Sequence, residues 1–359
     1  MAVVTFSKEQ LQQAISEGQV FDKDHFSQTD YRGVYIGGGI FSDCIFTACQ
    51  FDEAEFIQSN FINCQFERCS FSNSQWQECN FTGCELPASD LQNCQFESVN
   101  LVECNLTQCR FTGSVMPETN IINCQANDTD FSQCQLYFAV FNQTQVNRSR
   151  FIEAQMERTA FIECEMEGIN LRHAHLQQAI FEKPELSGQD FSDMHLAMTQ
   201  FRSAKLRNCN FTGANLTQVF FVEADLIQSR FDGATATGAM FYQSQLTGST
   251  LTKCNLSQAS LQLADLSACD FSGSTMIQLM ASGAIMQNTL FKKCDLTYAD
   301  LSYAVLSYTD FSGAELVRTN LHAIIDNGAI WSGSSKSKAL PTDEKREKAD
   351  LWKPKSVKA

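Results

Sequence analysis

Positive charge is in short supply in this chain. Its 359 residues hold 26 Lys and Arg against 41 Asp and Glu, a formal net charge of −15. Nucleic acid and anionic membranes are bound by Lys/Arg-rich surfaces, so direct binding to either is not expected. An acidic surface suits solubility or a basic protein partner. Long apolar runs are missing too, and no stretch of about 18 residues reads as a membrane-spanning helix. The opening MAVVTFSKEQLQQAISEG has no basic n-region and no unbroken apolar core, and so reads as no cleavable signal. Proline (5) and histidine (5) are rare, and no phosphate-binding loop, dinucleotide fingerprint or Ser/His/Asp arrangement is present.

What is abundant is phenylalanine, with 29 residues, and cysteine, with 16. Both follow one period. From Phe41 to Leu321 every fifth residue is apolar, without insertion, giving 57 positions that hold 24 Phe, 22 Leu and 5 Met and no charge. Two residues before each stands a small one, usually Cys, Ala, Ser or Thr, and all 16 cysteines share that register. Neither 3.6 nor 2 describes the spacing, so this is neither an amphipathic helix nor a simple strand. A period of five with one large and one small inward residue fits a square coil, four pentapeptides to a turn of about 20 residues.

This pattern resembles the pentapeptide-repeat family, whose consensus of a small residue, Asp or Asn, Leu or Phe and two polar residues recurs in Ala214-Asn-Leu-Thr-Gln and Ala224-Asp-Leu-Ile-Gln. The resemblance covers residues 41–325. It implies an all-β fold, a right-handed quadrilateral parallel β-helix of about 14 coils. Residues 1–20 are expected as an N-terminal capping helix, 21–331 as the β-helix and 332–359 as a basic polar tail. The core ladders should stack Phe41, Phe61, Phe81, Phe201 and Phe221 on one wall, and Phe51, Phe71, Phe211 and Phe231 on the opposite one. Ala126, Ala236 and Ala281 under-fill central positions. Pro184, Gln189 and Met194 break the small-residue rule, with looser packing or a bend expected there but no domain boundary.

At the N-terminus, Ser7 and Gln10 make a capping-box pattern and Gly18 a stop. Leu11, Ala14 and Ile15 would cover the first coil. Gly37-Gly38-Gly39 reads as an irregular turn. Beyond Trp331 the repeat is expected to stop, Ser332–Lys338 to be flexible and Pro341–Trp352 to form a short helix. The tail carries eight Lys and Arg against four Asp and Glu, with Leu340, Leu351 and Trp352 as its large apolar residues.

Cysteine in a slot that Ala, Ser and Thr share is a compact filler, expected reduced in a cytoplasmic setting. No catalytic residue, cofactor or metal site is expected. The only constellation resembling a metal site is His175 and His195, one turn apart, with His173 above Asp193. Asn60, Asn80, Asn100 and Asn120 should stack as an amide ladder.

Two surface features remain. Residues 41–170 carry 18 Asp and Glu against 5 Lys and Arg, and residues 171–331 carry 14 against 10, so one part is distinctly acidic. Val140, Ala160, Ile180, Phe220, Met240 and Met280 share one outward position, preceded by Tyr137 and Phe138, and exposed apolar stripes mark interfaces. These residues, with Trp352 in the tail, form the candidate interface. The expected function is non-enzymatic: a protein-binding scaffold or adaptor, with a homodimer among its options. The ends, Phe6-Ser7-Lys8-Glu9-Gln10-Leu11 and Thr342-Asp343 through Arg346, Ala349, Trp352 and Pro354, resemble pentapeptide proteins of bacterial type VI secretion clusters. That resemblance implies an accessory role, in the bacterial cytoplasm or exported without a signal peptide. The alternative is the DNA mimicry of topoisomerase-protecting pentapeptide proteins, which the resemblance associates with gyrase or topoisomerase IV.

Overall fold

The computed structural model describes residues 6–350 and 352. The first five residues of the leader reading, and Leu351 and residues 353–359 of the tail with Pro354, lie outside the described residues. The chain forms two compact units, residues 1–200 and 201–359.

Unit one opens with α1, Lys8–Ser16. Its capping box is complete: the Ser7 hydroxyl accepts the Gln10 amide, and the Gln10 side chain accepts the Ser7 amide. Gly18, at φ +80°, ends the helix with its N–H donated to Ile15. Leu11, Ala14 and Ile15 are buried, as a capping helix requires.

The rest of unit one is a parallel β-solenoid. Three-residue strands, each with one inward side chain between two outward ones, pair in register with strands 20 residues away. One wall is a nine-stranded sheet from Val20–Asp22 to Ile180–Phe181, while two others carry sheets of four and three strands. Unit two repeats the plan with isolated bridges, from Lys205↔Asp225 to Asn320↔Leu340. The coil count therefore differs from the 14 expected on residues 41–325. Pairing already holds at Val20↔Ile40 and persists past Trp331 to Leu340.

The period of five is set by the backbone. The residue two after each inward one takes a left-handed conformation, as in Glu53 (φ 60°) and Gln258 (φ 60°). That conformation turns the chain through a corner. In many pentapeptides the small residue's N–H also closes a tight turn onto the inward residue's carbonyl, as Ala54 does onto Phe51 at 3.0 Å. Gly37-Gly38-Gly39 is no irregularity: Gly37 pairs with Ile57, Gly38 takes the corner at φ +72°, and Gly39 fills the small slot.

Inside unit one the phenylalanines stack along the axis. Phe41 lies 5.0 Å from both Phe21 and Phe61, with near-parallel rings. Phe51 and Phe71 stack at 5.3 Å, and Phe61 and Phe81 at 4.8 Å. Rings on neighbouring walls meet edge-on, as Phe41 and Phe46 do at 5.6 Å. In unit two Phe201 stacks on Phe221 at 5.5 Å and Phe211 on Phe231 at 4.8 Å. Offset and edge-on ring pairs gain about 0.5–1.5 kcal/mol beyond the area they bury. Ala126, Ala236 and Ala281 are as buried as their neighbours.

Unit two ends differently from its expectation. Trp331 stacks on Phe311 at 4.5 Å, and Lys336 sits 3.9 Å over the Trp331 ring. Ser332–Lys338 is not a loose segment: it contains a 3-10 turn at Lys336–Lys338, and Ser335 N–H donates to Ala314. A helix α2, Glu344–Asp350, follows, inside the range expected for one.

Candidate functional site

All 16 cysteines are free, and all but Cys164 are fully buried. Fourteen of the thiols donate to a backbone carbonyl 23 residues earlier, as Cys109 does to Leu86 at 2.9 Å, while Cys49 donates to Thr47. Burial pushes the Cys109 thiol up to about 12 and Cys164 up to about 11, the opposite of an activated nucleophile. Among the described residues no group of three or more His, Cys, Asp or Glu could hold a metal ion. His173 instead accepts from Arg172 Nε at 3.2 Å. No helix among them is long and apolar enough to cross a membrane.

The chemistry on offer is therefore that of the walls. On the nine-stranded wall of unit one the register places Val140 beside Ala160 and Ala160 beside Ile180. Val140 is half-buried and Ile180 is exposed. Tyr137 is half-buried at the preceding corner, and Phe138 next to it is exposed, with the Arg158 guanidinium 5.3 Å from its ring. In unit two Phe220 pairs with Met240, and Met240 is linked through Ser260 to Met280. Phe220 is half-buried, Met240 and Met280 exposed. So the candidate stripe is two strips, one per unit. Trp352 joins neither: it follows α2, 71% exposed.

The same wall of unit one carries the amide ladder. Asn80 donates to Asn60 at 3.0 Å, Asn100 to Asn80 at 2.8 Å and Asn120 to Asn100 at 2.8 Å. Beside it stand outward residues the sequence reading passed over: Ile62, Val102, Ile122 and Ile162. They lie two residues after the Asn column. Only a count of both outward columns at 20-residue spacing would have found them. A second missed feature is in unit two, where Ile285, Val305 and Ile325 pair as an outward ladder. Ile285 and Ile325 are 44% and 51% exposed.

The acids of residues 41–170 line the remaining walls and corners. Few are neutralised. Arg110 meets Asp90 at 2.6 Å and Arg148 forks onto Asp128 at 2.7 and 2.8 Å, each one coil apart. The Arg148 hydrogen bonds hold the Asp128 carboxyl below its usual range. Others take neutral partners: Gln58 donates to Glu78, Gln133 to Glu153 and Gln143 to Glu163.

Family models describe the same pattern. "Pentapeptide repeats (9 copies)" matches residues 41–85, "Pentapeptide repeat region" 195–261, and "Pentapeptide repeats (8 copies)" four segments within 77–133 and 251–322. The chain belongs to the pentapeptide-repeat family. No curated protein matches this pentapeptide-repeat protein. Solved structures similar to it include HetL, a pentapeptide-repeat protein involved in heterocyst differentiation regulation in the cyanobacterium Nostoc. The two are 25% identical over 64% of this chain and 90% of HetL, with a TM-score of 0.41. Full-length QnrB1, a plasmid-mediated fluoroquinolone resistance protein, is 16% identical over 60% of this chain and 92% of its own, with a TM-score of 0.30. A pentapeptide-repeat protein of the Arabidopsis thaliana thylakoid lumen is 30% identical over 34% and 68%, with a TM-score of 0.15.

Proposed function

We propose that this pentapeptide-repeat protein works without catalysis, as a scaffold or adaptor that binds other proteins on its side walls. The observation that carries the reading is the outward apolar strip on a sheet wall: half-buried Val140 and Ala160 and exposed Ile180 in unit one. Phe220, Met240 and Met280 form the matching strip in unit two. Rigid, regularly spaced walls of this kind suit extended binding surfaces. The buried free thiols support a reducing, cytoplasmic setting. The likeness of both ends to type VI secretion-associated pentapeptide proteins supports an accessory role in bacterial secretion. The test is partner retention from a bacterial lysate by the wild type, Ile180→Asp and Met240→Asp. A partner held by the wild type and lost by a variant of unchanged stability supports the reading. Identical retention by all three removes it.

The acidic excess of residues 41–170 favours a second reading, an acidic mimic of DNA that binds gyrase or topoisomerase IV. Gyrase supercoiling at low and moderate salt tests it. Mimicry requires protection or inhibition that weakens as salt rises and that disappears on reversing Glu78, Glu103 and Glu118 to Lys.

A further inference from the structure

Outward charge is unevenly shared among the walls of unit one. Residues 41–170 hold 23 charged side chains. Yet on the nine-stranded wall neither outward column, from Ile40 to Ile162, holds a single one. Every one of those positions is an apolar, Asn, Ser or Thr residue. The opposite wall, over the same coils, carries the bridged column Asp90, Arg110, Asp130 and Arg150, and Asp52 besides. Depletion of charge at the centre of a patch marks a protein interface core. Scattered apolar residues alone would not single this wall out. The absence of charge across seven successive strands in both columns does.

We propose that this uncharged wall takes the same wall of a second copy of the chain. The proposal rests on the reading above that the wall is an interface, and adds its occupant. Three observations favour a second copy. First, the amide ladder is self-complementary. A carboxamide has two donors and two acceptor lone pairs, and the ladder uses one of each on Asn80 and Asn100. A second ladder brings donors and acceptors in the same equal number. Second, the surface repeats at the strand spacing of about 4.8 Å. A partner must match that repeat along the wall to keep amide opposite amide and Ile122 opposite an apolar side chain. This wall itself has that repeat. Third, an in-register parallel sheet bearing an Asn ladder and branched aliphatics has the parts of a dry face-to-face sheet contact.

The area sets the strength. The seven uncharged strands from Ile40 to Ile162, at about 4.8 Å spacing and each about 10 Å wide, give roughly 340 Å² of wall per copy and roughly 670 Å² for the pair. That is below the size of stable specific interfaces, so the dimer is weak and reversible. Acids outnumber bases at the rim: Glu78 and Glu118, with Arg158, at the corners before it, and Asp43, Glu103 and Glu163 at the corners after it. Two copies bring like charges together at the rim, where exposed pairs count for little and salt screens them. Self-association therefore strengthens as salt rises. A partner with a basic rim would show the opposite sign.

Sedimentation velocity of the full chain, from about 5 to 500 μM at about 20 and 500 mM NaCl, tests this. A dimer should grow with concentration, with a dissociation constant roughly three- to tenfold tighter at the higher salt. Ile122→Lys should weaken it at least about tenfold while leaving the melting temperature unchanged. Asn100→Cys should form an intermolecular disulfide under mild oxidation. A single monomeric species at every concentration and salt overturns the proposal, as does a dimer indifferent to both substitutions. If the chain stays monomeric but Ile122→Lys loses a partner that the wild type retains, the wall is an interface and its occupant is another protein. If Ile122→Lys changes neither, the interface reading of this wall falls too.

Discussion

The Cys134 thiol donates to the Phe111 carbonyl oxygen at 2.9 Å, 23 residues earlier in the chain. The same bond is made by Ser114 to Leu91 at 2.7 Å and by Thr129 to Leu106 at 2.7 Å. The small slot is thus selected for size, and where Cys, Ser or Thr fills it the side chain adds one donor to the same carbonyl, which explains why those three interchange there while Ala fills it without a donor. Cys134→Ser should cost under about 1 kcal/mol. Cys134→Val removes the donor and adds bulk, and should cost about 1–3 kcal/mol. Urea unfolding of the two variants measures the difference, and equal destabilisation would falsify the hydrogen-bonding role.

Thiol accessibility follows from the same slot. Burial holds Cys109 at about 12 and Cys254 at about 12, so neither is a thiolate at neutral pH. Titration with a disulfide reagent at pH 8 should leave nearly all thiols unreacted until denaturant is added. Cys164, half-buried, should be the first to react. Rapid modification of many thiols in the native protein contradicts this packing.

Phe131 sits between Phe111 at 5.0 Å and Phe151 at 4.9 Å, both rings stacked on it. Truncation to Ala opens a cavity in the middle of a column and should cost about 3–5 kcal/mol. Phe138, 51% exposed, should lose under about 0.5 kcal/mol on the same change. Thermal or urea melts of the two variants should differ by that margin. Comparable losses would mean that Phe138 is packed.

The inward ladder was legible because each pentapeptide commits one large side chain to the axis, and nothing else in the chain competes with a five-residue frame. The capping box at Ser7 and Gln10 was legible because its chemistry is local. The Gly37-Gly38-Gly39 run misled because glycine punctuates loops, whereas here each residue fills an ordinary place. At Gly39 a Cβ would come within 2.9 Å of Ile36 and 2.8 Å of the Phe41 ring, so these neighbours have closed over the missing side chain. His322 occupies an outward position of the five-residue frame, yet it is 2% exposed. What buries it is α2, and a contact across 28 residues leaves no mark in a local frame. The uncharged wall is not legible along the chain, because its columns form only between residues 20 apart and each pentapeptide between them carries its charges to other walls.

The corner rule was also present in the sequence without being read. Among the described residues, no Val, Ile or Thr takes the left-handed corner, where a branched Cβ crowds the backbone. Ala268, at φ 56°, is such a corner. Ala268→Gly should be neutral to about 1 kcal/mol stabilising, and Ala268→Val should cost about 1–2 kcal/mol. The order of melting temperatures, Gly at or above Ala and Ala above Val, checks the rule. Val at or above Ala refutes it.

The helix α2 is held by one cluster. His322 Nδ1 accepts the Asp343 N–H at 3.1 Å, and its Nε2 lies 3.2 Å from Asp350. The Tyr303 hydroxyl donates to the same carboxylate, and the Arg346 guanidinium lies 5.5 Å from the Tyr303 ring. The Tyr303 hydroxyl and then His322 hold the Asp350 carboxyl below its usual range. A carboxylate depressed in the folded state stabilises docking above its ordinary titration range. That contribution is lost as pH falls through the depressed value, so α2 should detach on the acid side and stay docked at neutral pH. Amide chemical shifts of Ala349 followed from pH 7 downward should report it. At neutral pH, Asp350→Ala should mimic acid: trypsin, acting at Lys345, Arg346 and Lys348, should cleave the variant several-fold faster than the wild type. Equal cleavage rates would mean that the carboxylate does not secure α2.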